Sequence, residues 1–163
     1  MGIVYDVQNL PAWKEVALKE IVEKRYNIPV HINNDANCFA LAETLMGAVP
    51  KTDPNAQVVF GVIIGTGVGG GLVVNGKVIY GKHGIGGEWG HNIIEENGPM
   101  CYCGKAGCVE NVLSGPALQR YYTRLSGAEL KMKEIYERHL AGTDENASKT
   151  IDHMRSEERR VGK

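Results

Sequence analysis

Apolar residues recur along the start of the chain at helical spacing. Pro11 opens a helix running to about Tyr26, with Leu18, Ile21, Val22 and Tyr26 on one face. Pro29 breaks it, and Val30, His31 and Ile32 read as a short strand. Asn33, Asn34 and Asp35 end that strand, and Ala36 to Met46 reads as a second helix closed by Gly47. Residues 49–57 are polar and contain prolines, as a linker does. The pattern then changes. Val58 to Ile64 is an unbroken apolar run of strand length, and Gly65-Thr66-Gly67-Val68-Gly69-Gly70-Gly71 follows as a loop. Leu72–Val74 and Lys77–Tyr80 are two strands joined by the two-residue hairpin turn Asn75-Gly76. Ser114-Gly115-Pro116 starts a helix through about Leu125. Ser126 and Glu129 form a capping box for another, with Leu130, Ile135, Tyr136 and Leu140 on or near one face. The end, Ser156 to Lys163, is charged and lacks apolar periodicity.

Composition narrows the possibilities. A length of 163 residues suits one domain or parts of two, and 43% hydrophobic residues allow a real core. A net charge of −1, with no basic cluster in the first 150 residues, argues against binding nucleic acid through a charged face. No apolar run approaches a membrane span. Gly supplies 21 residues, which calls for turns and close backbone approaches.

The densest chemistry lies between residues 83 and 110. Cys101-Tyr102-Cys103 is followed by Cys108, and His91 stands ten positions before Cys101. Three thiolates and one imidazole make a complete tetrahedral set for zinc, and Gly104 and Gly107 let a short loop fold back sharply. The alternative is a disulfide, but three clustered cysteines leave one over, and the start of the chain carries no secretory pattern. Four protein ligands leave no open position, so such a zinc is structural. The same reasoning places the chain in a reducing cytoplasm. Cys38, in an apolar helical pattern, reads as a core residue.

Three further features each admit two readings. Gly65-x-Gly67-x-x-Gly70 matches a dinucleotide fingerprint by letter, but a strand and not a helix follows. A loop this rich in glycine, with the Thr66 hydroxyl, suits phosphate oxygens, although a plain hairpin turn also contains glycine. Asp35, between strand and helix, is either an N-cap or a carboxylate placed where α/β folds put catalytic bases. Glu88 and Glu110 are ordinary surface residues by themselves, yet a metal on His91 and Cys108 would bring both to one place. His31, His83, His139 and His153 read as structural or surface residues.

In combination, these motifs resemble the ROK family (repressor, open reading frame, kinase). They are Asn34-Asp35-Ala36-Asn37, Gly65 to Gly71, Gly87-Glu88-Trp89-Gly90-His91, Cys101-x-Cys103-Gly104-x-x-Gly107-Cys108-x-Glu110-Asn111 and Ser114-Gly115. The resemblance implies the two-lobed, actin-like (ribonuclease H-like) α/β sugar-kinase fold. Asp35 would be the general base. Asn34, Asp35, Glu88, His91 and Glu110 would bind a hexose such as glucose or an N-acetylated hexosamine. Gly65, Thr66, Gly67, Gly69, Gly70 and Gly71 would hold the phosphates of Mg²⁺-bound ATP. His91, Cys101, Cys103 and Cys108 would bind structural zinc, with the second His91 nitrogen on a sugar hydroxyl. It also implies a homo-oligomer, a dimer, for the parent protein. A sugar-responsive repressor core is the alternative within the family. The expected organisation is the end of a first lobe (1–48), a linker (49–57), an incomplete second lobe (58–154) and a disordered or non-native tail (155–163). The family's Asp-x-Gly-x-Thr phosphate loop does not occur here, so the 163-residue chain is expected to be inactive by itself.

Overall fold

The computed structural model describes residues 11–161. These fall into two compact units, divided between Asp35 and Ala36. In the first, Pro11–Trp13 forms a single 3₁₀ turn and α1 spans Leu18–Tyr26. The single helix expected from Pro11 is interrupted at Glu15, whose φ of 57° is left-handed and incompatible with α-helix. α1 ends at Asn27 in the left-handed conformation, with the cap N–H bonded to Glu23 O. The Glu23 carboxylate then accepts the Val30 N–H at 3.0 Å and turns the chain back. Val30–Ile32 is irregular and not a strand. A strand exists only beside a hydrogen-bonded neighbour, and none lies there among the described residues.

The second unit begins with α2 (Asp35–Leu45), which buries Ala36, Asn37 and Ala40. The expected linker is a four-residue helix, α3 (Val49–Thr52), and a turn in which Asp53 accepts the Asn55 N–H at 3.0 Å. It lies inside the second unit. β1 (Val58–Ile64) and β2 (Val68–Val74) pair antiparallel over their whole length, Val58 with Val74 and Ile64 with Val68. β3 (Lys77–Val78) adds an edge through Val73–Val78 and Val74–Lys77. The hairpin turn is as expected, with Asn75 and Gly76 at φ 48° and 73°.

The glycines of this hairpin are packing residues. A Cβ at Gly61 would stand 2.7 Å from the Ala40 Cβ, and one at Gly71 would stand 2.6 Å from Ala36 O. α2 therefore lies directly on the sheet backbone. A Cβ at Gly70 would stand 2.6 Å from Trp89 Cδ1 and 2.9 Å from Gly87 O. Trp89 is buried there, donates its indole N–H to Gly69 O at 2.7 Å and meets the Phe60 ring edge-on at 5.9 Å. It joins Val68, Val109 and Leu113 in one core cluster.

The rest is helical: α4 (Val109–Leu113), α5 (Gly115–Ser126), α6 (Met132–Ala141) and α7 (Glu145–Val161). Ser114 caps α5 by accepting the Ala117 N–H, and Gly127 closes it at φ 73°. Ser126 does not open the next helix. Its hydroxyl bonds Tyr122 O and accepts the Ala128 N–H, so it belongs to the end of α5. The capping glutamate of α6 is Glu134, which accepts the Lys131 N–H at 3.0 Å. Of the expected α6 face, Ile135 is fully buried, while Tyr136 and Leu140 are exposed. Asp144 starts α7 by accepting the Asn146 and Ala147 N–H groups, and it also accepts the Tyr122 hydroxyl at 2.7 Å. The expected disordered tail is instead the last turns of α7, through Val161. Ala147, Thr150 and Ile151 are buried, and Met154 packs on the core; that stripe carries the charged end as a helix. No helix among the described residues is long and apolar enough to cross a membrane.

Gly70→Ala should overpack the contact with Trp89 and lower stability by about 1–3 kcal/mol, read as a lower urea midpoint. An unchanged midpoint would show that Trp89 can move aside.

Candidate functional site

Trp89 anchors a loop whose two ends are stitched together. Ile94 N–H donates to Gly107 O, Val109 N–H to Asn92 O and Glu110 N–H to Gly90 O, each at 2.9 Å. His91 is thus held against the start of α4, and Cys108 stands one residue before that helix. Inside the loop, Cys101 N–H bonds Lys105 O at 2.8 Å and Gly104 N–H bonds Cys101 O at 3.0 Å. This tight turn needs φ 86° at Gly104, which glycine adopts without strain.

The result is a convergence of four donors. One ligand atom from each of His91, Cys101, Cys103 and Cys108 lies within 4.8 Å of every other. Cys101 Sγ is 3.6 Å from His91 Nδ1, and Cys103 Sγ is 3.5 Å from Cys108 Sγ. An ion about 2.3 Å from sulfur and about 2.0 Å from imidazole nitrogen separates tetrahedral neighbours by roughly 3.5–3.8 Å. The donor set and its spacing therefore fit zinc. All four cysteines are free thiols, so the disulfide alternative does not hold here.

The electrostatics of the bare cluster point the same way. Burial pushes the Cys108 thiol up to about 12, and the neighbouring Cys103 and Cys101 sulfurs add to that. Cys103 is exposed, and the Lys105 backbone N–H holds its thiol below the ordinary value of 9.0. A divalent cation supplies the opposite charge that a buried thiolate requires. Two neighbours were not foreseen from the sequence. The Tyr102 hydroxyl is 3.0 Å from His91 Nε2, and Lys105 Nζ donates to His91 O at 3.2 Å. Nothing in the spacing marks either one, because both are ordinary surface residue types.

The other expected site residues divide. Glu110 lies on α4, two residues beyond Cys108, and one carboxylate oxygen accepts the Val68 N–H at 3.0 Å. A Cβ at Gly67 would stand 2.6 Å from that oxygen. Glu110 therefore ties the metal loop to the glycine turn. That turn is only Gly65-Thr66-Gly67. Gly69, Gly70 and Gly71 belong to β2, where Trp89 packs on Gly70 and α2 on Gly71, so the long expected phosphate loop is shortened. Gly65 O accepts the Gly115 N–H at 2.8 Å, which sets the turn at the start of α5. Glu88 is half-buried beside Trp89. Asn34 and Asp35 end the first unit, and Asp35 is the first residue of α2. Cys38 is exposed on α2 and not in the core.

A sequence model of the ROK family matches residues 1–160. The chain belongs to the ROK family. It is 40% identical over 146 residues to a glucokinase of Thermotoga maritima, covering 90% of this chain and 44% of that protein. It is 40% identical over 154 residues to an N-acetyl-D-glucosamine kinase of Pectobacterium carotovorum, covering 88% and 49%. The ROK hexokinase structure from Thermus thermophilus superposes with a TM-score of 0.77 at 32% identity, over 94% of this chain and 49% of that one. A ROK transcriptional regulator, a homologue of the E. coli MLC protein, also gives 0.77 at 30% identity, over 94% and 40%. The ROK chain thus has the actin-like fold of the sugar kinases over the part it covers. It spans about half the length of the curated relatives it matches.

A concavity of about 1090 Å³ lies elsewhere in this ROK chain, between the 95–99 loop, α5 and α7. It contains none of the metal-cluster residues. Its walls mix Arg120, Arg124 and Lys131 with Glu95, Glu129 and Glu134, which selects no single ligand charge.

In metal-free protein at about pH 8, iodoacetamide should modify Cys103 well before Cys108, because only a thiolate attacks. Cys38 should react as well. Peptide mass spectrometry reads the order, and zinc should protect Cys103 while leaving Cys38 reactive. Equal rates at Cys103 and Cys108 would contradict the charge distribution described above.

Proposed function

We propose that this chain is part of an ATP-dependent ROK hexose kinase and that His91, Cys101, Cys103 and Cys108 hold a structural zinc. The observation that carries this reading is Glu110. It follows the cysteine cluster by two residues and bonds the backbone at the glycine turn. One side chain thus links the metal loop to the segment suited to phosphate. The names of the curated relatives, glucokinase and N-acetyl-D-glucosamine kinase, favour a kinase acting on a hexose.

In this reading Asp35 accepts the proton of the attacking sugar hydroxyl. Asn34, Glu88, His91 and Glu110 orient the sugar. Thr66 and the Gly67 backbone N–H face the phosphates, while the Gly65 N–H, bonded to Gly67 O, shapes the turn, with the positive end of α5 behind it. Mg²⁺ bound with ATP neutralises phosphate charge. Such transfer needs positioning and electrostatic support more than covalent chemistry, so residues on stiff supports suffice. The zinc takes no part in the reaction; it fixes His91 and the start of α4. The Tyr102 hydroxyl lies 3.0 Å from His91 Nε2, the nitrogen that a sugar hydroxyl would meet in this reading.

A sugar-responsive regulator is the second reading, favoured by the equal TM-score to the solved ROK regulator. Asp35 separates the two, since a regulator needs sugar binding without proton abstraction. Asp35→Asn in the protein that carries this chain should lower sugar-dependent ADP release by roughly 10²–10⁴-fold while sugar affinity changes little. Near-normal turnover would make Asp35 a helix-start residue only. Absence of turnover in the unsubstituted protein, with sugar binding intact, would favour the regulator.

Elemental analysis should find one zinc per chain, lost on replacing Cys108 with serine. Protein purified without chelators and free of zinc would overturn the metal assignment.

A further inference from the structure

Tyr102 stands between two cysteine donors and is 78% exposed, yet its side chain folds back over the cluster. Its hydroxyl is 3.0 Å from His91 Nε2. Its ring meets the imidazole edge-on, with centroids 5.1 Å apart and planes at 89°. The other ring nitrogen, Nδ1, faces Cys101 Sγ at 3.6 Å. A metal on Nδ1 would constrain the proton. A neutral imidazole carries a single N–H. For Nδ1 to offer its lone pair toward the sulfurs, that hydrogen must sit on Nε2. The phenol oxygen is then the acceptor at the correct place. A histidine that binds metal is commonly oriented by a carboxylate, carbonyl or water on its second nitrogen. In this chain the group at that distance is a phenol, supplied by the residue between two of the donors.

We propose that Tyr102 is a positioning residue for metal binding: its hydroxyl accepts the Nε2 proton of His91 and so fixes the tautomer and ring orientation that turn Nδ1 toward the three sulfurs. The proposal rests on the zinc reading above and adds a residue to it. It also explains why an exposed aromatic side chain lies against the loop when its apolar ring gains little burial there.

The test uses the 163-residue chain, with cobalt(II) as an optical substitute for zinc. Tyr102→Phe keeps the ring and its edge contact and removes only the oxygen. It should weaken cobalt binding by about 10–100-fold in competition with a chelator, the usual cost of losing such a partner. The thermal midpoint of the metal-free chain should not change, because the residue is exposed. In ¹⁵N spectra of metal-free protein, His91 should populate the Nε2–H tautomer, and the Phe variant should lose that preference. Cobalt affinity within about threefold of the unsubstituted chain would overturn the proposal. So would a loss of affinity matched by an equal loss of metal-free stability, since that indicates general damage. If the unsubstituted chain binds no cobalt, both the zinc reading and this one fail. If it binds cobalt and the Phe variant binds equally well, only this one fails.

Discussion

The second unit is organised by the absence of side chains along one hairpin. At Gly61 and Gly71 the sheet admits α2 to van der Waals contact with its backbone. At Gly70 it admits Trp89 and the Gly87 carbonyl, and at Gly67 it admits the Glu110 carboxylate. These neighbours arrive from different parts of the sequence and meet strands that are adjacent through a three-residue turn. A methyl group at Gly61, Gly67, Gly70 or Gly71 would displace one of them. The weak strand propensity of glycine is therefore tolerated because packing on the sheet faces returns more than the side chains would.

The loop that follows inherits its rigidity from this contact. Trp89 is buried, hydrogen-bonded to Gly69 and flanked by Glu88 and His91, so its position limits where both can lie. The three backbone bonds that join residues 90–94 to residues 107–110 then hold His91 beside α4. Cluster and glycine turn are thus two outcomes of one packing arrangement, with Glu110 bridging them. That is the geometry a transfer site needs, because errors of an ångström in positioning are costly.

Much of this was legible beforehand, for identifiable reasons. β1, the Asn75-Gly76 turn, the start of α5 and the cysteine donor set are each specified by local chemistry: a β-branched apolar run, a turn that requires positive φ, a Ser-Gly-Pro start, and soft ligands at short spacing. What local chemistry does not encode was misread. Gly70 and Gly71 resemble a loop because their purpose lies in Ala36, Trp89 and Gly87, which are remote in sequence. Ser126 and Glu129 had capping-box spacing, but Gly127 ends α5 between them, and Glu134 has the same spacing from the position that is actually used. The charged tail is carried by a stripe of small and apolar residues just before it, from Ala147 to Met154, whose partners are remote in sequence. The Tyr102 contact left no trace, since its hydroxyl finds His91 only after the loop has closed.

The charges within the cluster also explain why, in the proposed zinc reading, this loop would take up a cation. Its sulfurs are brought together by backbone bonds and a glycine turn, not by their own attraction. Without a metal the arrangement concentrates three polarisable acids, and burial drives Cys108 toward the thiol form while Cys103 is drawn toward thiolate. Within the loop Lys105 favours the Cys103 thiolate through its backbone N–H and its charge, while its ammonium donates to the His91 carbonyl, and nothing comparable offsets the burial of Cys108. A divalent ion would favour all three thiolates at once, and its binding free energy would become stability of the loop. The loop carries His91 on one side and leads into Glu110 on the other. In the proposed zinc reading, a metal that does no chemistry would still govern the site, because it would determine whether those two side chains hold their places.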